Sequence, residues 1–180
     1  GRELGDRPAA AFALRYLSAL ANAQRRYDEA RACGEESLAI YRALGATNDI
    51  AGSSMYLADI ALALGDDDRA EALYAESVAI LRMRHNSIAL PYPLRHLGYL
   101  ALRRGQPGQA AALCEESARL NLAVSDQQGV AAGLVGLAAS DLLEPEQPRA
   151  PANRRITITV LTREAEERLL GRKLPLVLAQ

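Results

Sequence analysis

Apolar residues recur at three- and four-residue spacing from the start of the chain to about residue 143, the spacing that gathers them on one face of an α-helix. Leu14, Leu17, Leu20 and Ala21 mark the first such stripe and predict a helix from about Pro8 to Arg25, with Pro8 in a first turn that tolerates its missing N–H. A second helix is predicted from about Asp28 to Leu44. It is opened by acidic side chains, which the helix dipole favours there, and stopped by Gly45. The same plan predicts helices over about 47–64, 67–84, 91–104, 107–124 and 126–143, with Gly65, Gly105 and Pro107 as punctuation.

The pattern is also periodic on a longer scale. EESLAIYRALG at 35–45 returns as AESVAILRMRH at 75–85 and EESARLNLAVS at 115–125, so Glu36-Ser37, Glu76-Ser77 and Glu116-Ser117 stand 40 residues apart. Ala30, Ala70 and Ala110 keep the same register, as do Leu17, Leu57, Leu97 and Leu137. A fixed period of this length is the mark of a repeat array, in which each unit is a helical hairpin that cannot bury its apolar face alone. The recurring Ser suits a close helix crossing beside a solvated Glu, and no His or Lys base recurs with it to suggest catalysis.

Composition agrees with helices packed on helices. Hydrophobic residues make up 49% of the chain, dominated by Ala and Leu, while aromatics make up only 4%. The net charge is -1, with 15 basic and 19 acidic residues through Arg149 and 6 basic and 3 acidic after it. Repeats of mildly acidic balance lack the basic stripe that displaces counterions from phosphate, so direct nucleic-acid binding is not expected. Cys33 and Cys114 lie in different repeats without a CxxC pair and read as small buried hydrophobes. No apolar run is long enough to predict a membrane helix, and a cytoplasmic location is the expectation. The Pro-rich EPEQPRAPANRR after Leu143 reads as a linker, so residues 144–180 are expected to form a loosely ordered tail or degenerate cap.

Laid out in this register, the units resemble the tetratricopeptide repeat. Leu14, Ser54, Leu94 and Leu134 take its first apolar slot, and Leu17, Leu57, Leu97 and Leu137 its Leu slot. Ser18, Ala58, Gly98 and Ala138 take the small slot, and Ala30, Ala70 and Ala110 the Ala slot. A later aromatic slot holds Tyr74, with Gly34 and Cys114 in the other units. Two departures are a period of 40 in place of the usual 34 and the replacement of the closing Pro by Arg42, Arg82 and Leu122. Such lengthened repeats, with phrases like RELGD and LLG, look like the helical arms of multidomain bacterial regulators, signal-transduction (STAND) ATPases and LuxR-type transcription factors among them. The resemblance implies an all-α, right-handed α-solenoid of antiparallel helix pairs over residues 1–143, about 3.5 repeats and a fragment of a longer array. RELGD at 2–6 matches RALGA at 42–46, as if the numbered chain began at the end of a preceding helix.

Catalytic and cofactor handles are missing from the sequence: there is no phosphate loop, no GxGxxG and no HExxH. No enzyme activity, cofactor or metal is expected. Asp66-Asp67-Asp68 lacks the spaced ligands of a calcium loop and reads as an inter-helix turn with a capping Asp. His85 and His96, eleven apart, suit polar surface or groove positions. In the repeat family the first helix of each pair lines a concave face. By slot this implies Arg15 and Asn22 from the first unit, Met55 and Asp59 from the second, and Tyr92, Arg95, Tyr99 and Arg103 from the third, with Val135, Ala139 and Leu142 from the fourth. Ala19 stands where members that clamp a peptide carboxylate carry Asn, so that ligand is not expected.

The resulting expectation is a module that binds a peptide or partner protein in its groove, with an ATPase or DNA-binding domain as a neighbour in a longer chain. A structural or sensor arm without its own ligand is the alternative, in which Tyr99 packs on the neighbouring hairpin and the arginines are solvated.

Overall fold

The computed structural model describes residues 3–142, and over them the chain forms seven α-helices and no strand. In order these are α1 (Glu3–Ala23), α2 (Tyr27–Leu44), α3 (Thr47–Leu64), α4 (Asp67–Met83), α5 (Pro91–Arg103), α6 (Pro107–Ala123) and α7 (Gln127–Leu142). The expected tail, 144–180, lies outside the described residues. Among the described residues no helix is long and apolar enough to cross a membrane.

Three of the helix ends fall at the glycines that punctuate the sequence, Gly45, Gly65 and Gly105. Left-handed residues stand at Arg25, Gly45, Gly65, His85, Gly105 and Ser125, so the chain reverses every 20 residues. Each turn has the same two bonds: at α2 the Gly45 N–H donates to the Arg42 carbonyl and the Ala46 N–H to that of Tyr41, at 3.1 and 3.0 Å. This pairing satisfies carbonyls that a helix end leaves open. Asp66 then caps α4, its carboxylate accepting the Arg69 N–H at 3.1 Å, so the acidic triplet is a helix start as its sequence suggested. α1 corrects the sequence reading. It begins at Glu3, upstream of Pro8, which lies inside the helix. The RELGD segment therefore runs into α1 as helix from Glu3 onward and is not the end of a separate one. Pro8 forgoes one N–H bond without stopping it.

Within the hairpins the repeat slots explain the packing. Ala30, Ala70 and Ala110 are fully buried, and so are Ser37, Ser77 and Ser117. Ser37 Oγ donates to the Ala11 carbonyl at 2.7 Å and Ser117 Oγ to that of Pro91 at 2.8 Å, in each case stitching the second helix of a hairpin to its first. Ser77 is equally buried, and its hydroxyl has no partner. In the small slot, Ser18 Oγ donates to the Ala30 carbonyl at 2.6 Å. Gly98 leaves room for the Cys114 sulfur, which a Cβ there would approach to 2.6 Å.

The chain divides into two compact units, the first holding α1 to α4 and the second α5 to α7. In the first, α2 packs on both α1 and α3, and α3 on α4. Arg42 and Ser54 both donate to the Glu76 carboxylate, at 2.7 and 2.8 Å for its nearer contacts, which explains a buried Ser in an apolar slot. Glu76 is thus bound, where the sequence suggested a solvated side chain. In the second unit α5, α6 and α7 close around Cys114, Leu134 and Leu137, with Tyr99, Ala111 and Val130 against them.

Three sequence expectations fail at the residue level. Leu17 and Leu20, assigned to the buried stripe, are 53% and 52% exposed. Leu97 is half-buried, and α5 buries Leu94 and Leu100 in its place. Cys33 is half-buried where a buried hydrophobe was expected, although Cys114 is fully enclosed.

Candidate functional site

The positions implied for a groove divide between the units. In the first, Arg15 projects from α1 into a brace between three helices. Its Nη1 donates to Asp49 Oδ1 on α3 at 3.3 Å, and its guanidinium carbon lies 5.4 Å from the Phe12 ring centre and 5.8 Å from that of Tyr41 on α2. Burial pushes the Tyr41 phenol up, with Arg15 opposing. Asn22, two turns further along α1, is half-buried. Met55 and Asp59 stand four apart on α3, so they share a face. Met55 is half-buried, while Asp59 accepts a hydrogen bond from the buried Tyr74 hydroxyl of α4.

In the second unit, α5 assembles an aromatic ladder. Tyr92 and His96 have ring centres 4.5 Å apart and tilted by 43°, and His96 meets Tyr99 edge-on at 6.0 Å. The spacings of four and three residues place the three rings on successive turns of one helix face. Arg95 lies over Tyr92, its guanidinium carbon 5.5 Å from the ring centre, a cation–π arrangement that fixes both side chains. Tyr99 is the inner rung: its hydroxyl donates to the Ala132 carbonyl of α7 at 3.0 Å, and burial raises its pKa, with Arg95 opposing. Tyr92 is the exposed rung, and Arg103 is exposed in the last turn.

Residue by residue, then, Tyr92, Arg95 and Tyr99 come together with His96, while Arg103 extends the same helix. His96 was read only as a surface or groove position. Its signal is present in the sequence, because it stands four after one Tyr and three before another. Val135, implied for the fourth unit, is exposed on α7 and Ala139 is half-buried, whereas the side chain of Leu142 is outside the described ones. Cys114, beneath the ladder, has its thiol pushed up to about 11 by burial, which keeps it a protonated packing residue at neutral pH. No acidic side chain lies on α5 itself.

Comparison with known proteins bears on the fold. Residues 9–83 match the tetratricopeptide repeat family model, which covers α2 to α4 and most of α1. The fold is similar to the crystal structure of BtubC (BKLC) from P. vanneervenii, with a TM-score of 0.71 at 17% identity over 94% of this chain and 70% of that one. It is also similar to nearly identical TPR-like repeats assigned to a kinesin light chain of Podosopora anserina, with a TM-score of 0.65 at 18% identity over 91% and 77% of the two chains. No curated protein matches the sequence. The architecture is therefore an all-α tetratricopeptide-repeat solenoid, a class of fold that generally mediates protein–protein interaction.

Proposed function

We propose that this chain is a non-catalytic protein-interaction module whose α5 face binds a peptide or partner helix. The observation that carries the reading is the Tyr92–His96–Tyr99 ladder with Arg95 over its exposed ring. Tyr and Arg are the side chains enriched at binding hot spots, since a ring buries area at low entropic cost and a guanidinium makes directed bonds. Here the ladder is held before any ligand arrives: the Tyr99 bond to α7 and the Arg95 stack hold it in place, so less ordering remains at binding. Arg103 extends the surface along the helix. Within the first unit, Arg15, Asn22, Met55 and Asp59 are proposed as further contacts.

We also place the array, in a cytoplasmic setting, as an arm of a larger bacterial regulatory protein with an ATPase or DNA-binding neighbour. The support is its resemblance to the lengthened repeats of LuxR-type and STAND regulators. A second reading, a structural or sensor arm without its own ligand, is favoured by one feature: Arg15, Asp59 and Tyr99 already hold partners within the chain.

Selection of a binding peptide from a displayed library, followed by calorimetric titration, separates the two. The binding reading expects Tyr92→Ala and Arg95→Ala each to weaken the selected peptide by about 30-fold, the equivalent of about 2 kcal/mol. Arg119→Ala, on the exposed side of α6, should leave affinity unchanged. Failure to select any peptide, or equal affinity in all variants, would favour the arm.

A further inference from the structure

One motif of the sequence plays no part in the seven helices. Shortly after α7, EPEQPRAP sets Pro145, Pro148 and Pro151 three residues apart. A polyproline helix turns once in three residues and rises about 9 Å in doing so, which puts all three rings on one side of such a segment.

The α5 ladder has a matching spacing. Tyr92 and Tyr99 stand seven residues apart on one helix, roughly 10 Å at 1.5 Å per residue. Two prolines three apart therefore fit the two tyrosines, with His96 between them. Aromatic side chains lining a face are suited to polyproline segments, whose preset backbone has little entropy left to lose. Tyr92 is 38% exposed, and His96 and Tyr99 are half-buried, so each ring keeps part of its surface outside the core.

The segment also starts within reach of the ladder. Two chain reversals, at Gly105 and Ser125, separate α5 from α7, so the two helices run the same way, and they pack together through the Tyr99 hydroxyl and the Ala132 carbonyl. Leu142, the last residue of α7, stands one period after Leu102, which puts the end of α7 beside the end of α5, roughly 10 Å away as packed helices lie. Pro145 follows Leu142 by three residues, a span of roughly 10 Å when extended. A path running back along α5 from there meets Tyr99 first and Tyr92 one polyproline turn later. Charge agrees with this path: Glu144 and Glu146 flank the first proline, α5 carries Arg95 and Arg103, and α7 bears no charged residue from Gln127 to Ser140.

We propose that residues 144–151 occupy the α5 ladder of their own chain, with Pro145 against Tyr99 and Pro148 against Tyr92, so that an outside ligand must displace them. The proposal rests on the reading of the α5 face as a binding surface and names the occupant that regulates it. The tether selects this occupant over a second copy. A link of a few residues holds the segment at an effective concentration on the order of 1 mM, which another chain at micromolar protein does not match.

The test titrates a synthetic peptide of residues 143–155 calorimetrically into forms of the full 180-residue chain. A form with Pro145, Pro148 and Pro151 all changed to Ala should bind one peptide. The unaltered chain should bind it roughly 10-fold more weakly, the ratio of that effective concentration to a Kd on the order of 100 μM. Adding either Tyr92→Ala, at an exposed position, or Arg95→Ala to the triple-alanine form should abolish binding. No binding to the triple-alanine form, equal affinity for it and the unaltered chain, or binding that survives both ladder variants would overturn the proposal. A concentration-dependent dimer of the unaltered chain in sedimentation, lost with the three alanines, would seat the segment on a second copy and overturn it too. The reading beneath is judged apart: a library-selected peptide that binds the triple-alanine form and is lost with Tyr92→Ala upholds the α5 surface even where the 143–155 peptide fails.

Discussion

Three of the six turn positions with positive φ are not glycine: Arg25, His85 and Ser125. A side chain in the left-handed region costs roughly 1–2 kcal/mol, offset in part by the extra unfolded-state freedom of glycine. His85→Gly should therefore raise stability by about 0.5–1 kcal/mol in urea unfolding, and Gly65→Ala should lower it by a similar amount. Glycine announces such turns in a sequence, which is why the stops at Gly45, Gly65 and Gly105 were legible. The turns at His85 and Ser125 carry no residue-level signal and appear only through the 20-residue spacing. The recurring Ser separates in the same way. Ser117→Ala should cost about 1 kcal/mol by removing the bond from its hydroxyl to the Pro91 carbonyl, whereas Ser77→Ala, which removes a hydroxyl that has no partner, should be neutral or mildly stabilising. A period shows that a Ser is required at a crossing but not which carbonyl it reaches.

At the scale of the helix, six of the seven elements were legible to within two residues, because amphipathic spacing and turn residues agree there. α1 was not, since Pro8 looks like a first-turn residue and lies inside the helix. Burial was read less well than boundaries. Slot assignment makes Leu17, Leu57, Leu97 and Leu137 equivalent, yet only Leu57 and Leu137 are enclosed, because burial depends on the neighbouring helix and not on the residue. Leu94, fully buried on α5, should lose roughly 2–5 kcal/mol on truncation to Ala, and half-buried Leu97 should lose distinctly less. The two cysteines divide likewise. Burial raises the Cys114 thiol to about 11 from an ordinary value of 9.0, so its contribution to stability is complete below about pH 9 and is lost as pH climbs towards 11. A thiol reagent at pH 8 should therefore modify the half-buried Cys33 first and reach Cys114 only on opening of the second unit.

For the whole molecule, the internal repeat was enough to specify an all-α solenoid, since a 40-residue period leaves few other ways to bury alternate helix faces. The candidate surface was only partly legible. Tyr92, Arg95 and Tyr99 could be placed on one face by spacing, but the contribution of His96 and the Tyr99 bond to α7 depend on packing between hairpins, which a single-helix projection omits. Arg15 and Asp59 show the converse: their spacing suits a groove, and the fold employs both in holding helices together. Hydrogen exchange of the chain with and without a selected peptide tests the central reading most directly. Binding through the ladder should slow amide exchange in α5, residues 91–103, and leave α6 nearly unchanged. Protection confined to α6, or absent from α5 at saturating peptide, would contradict it.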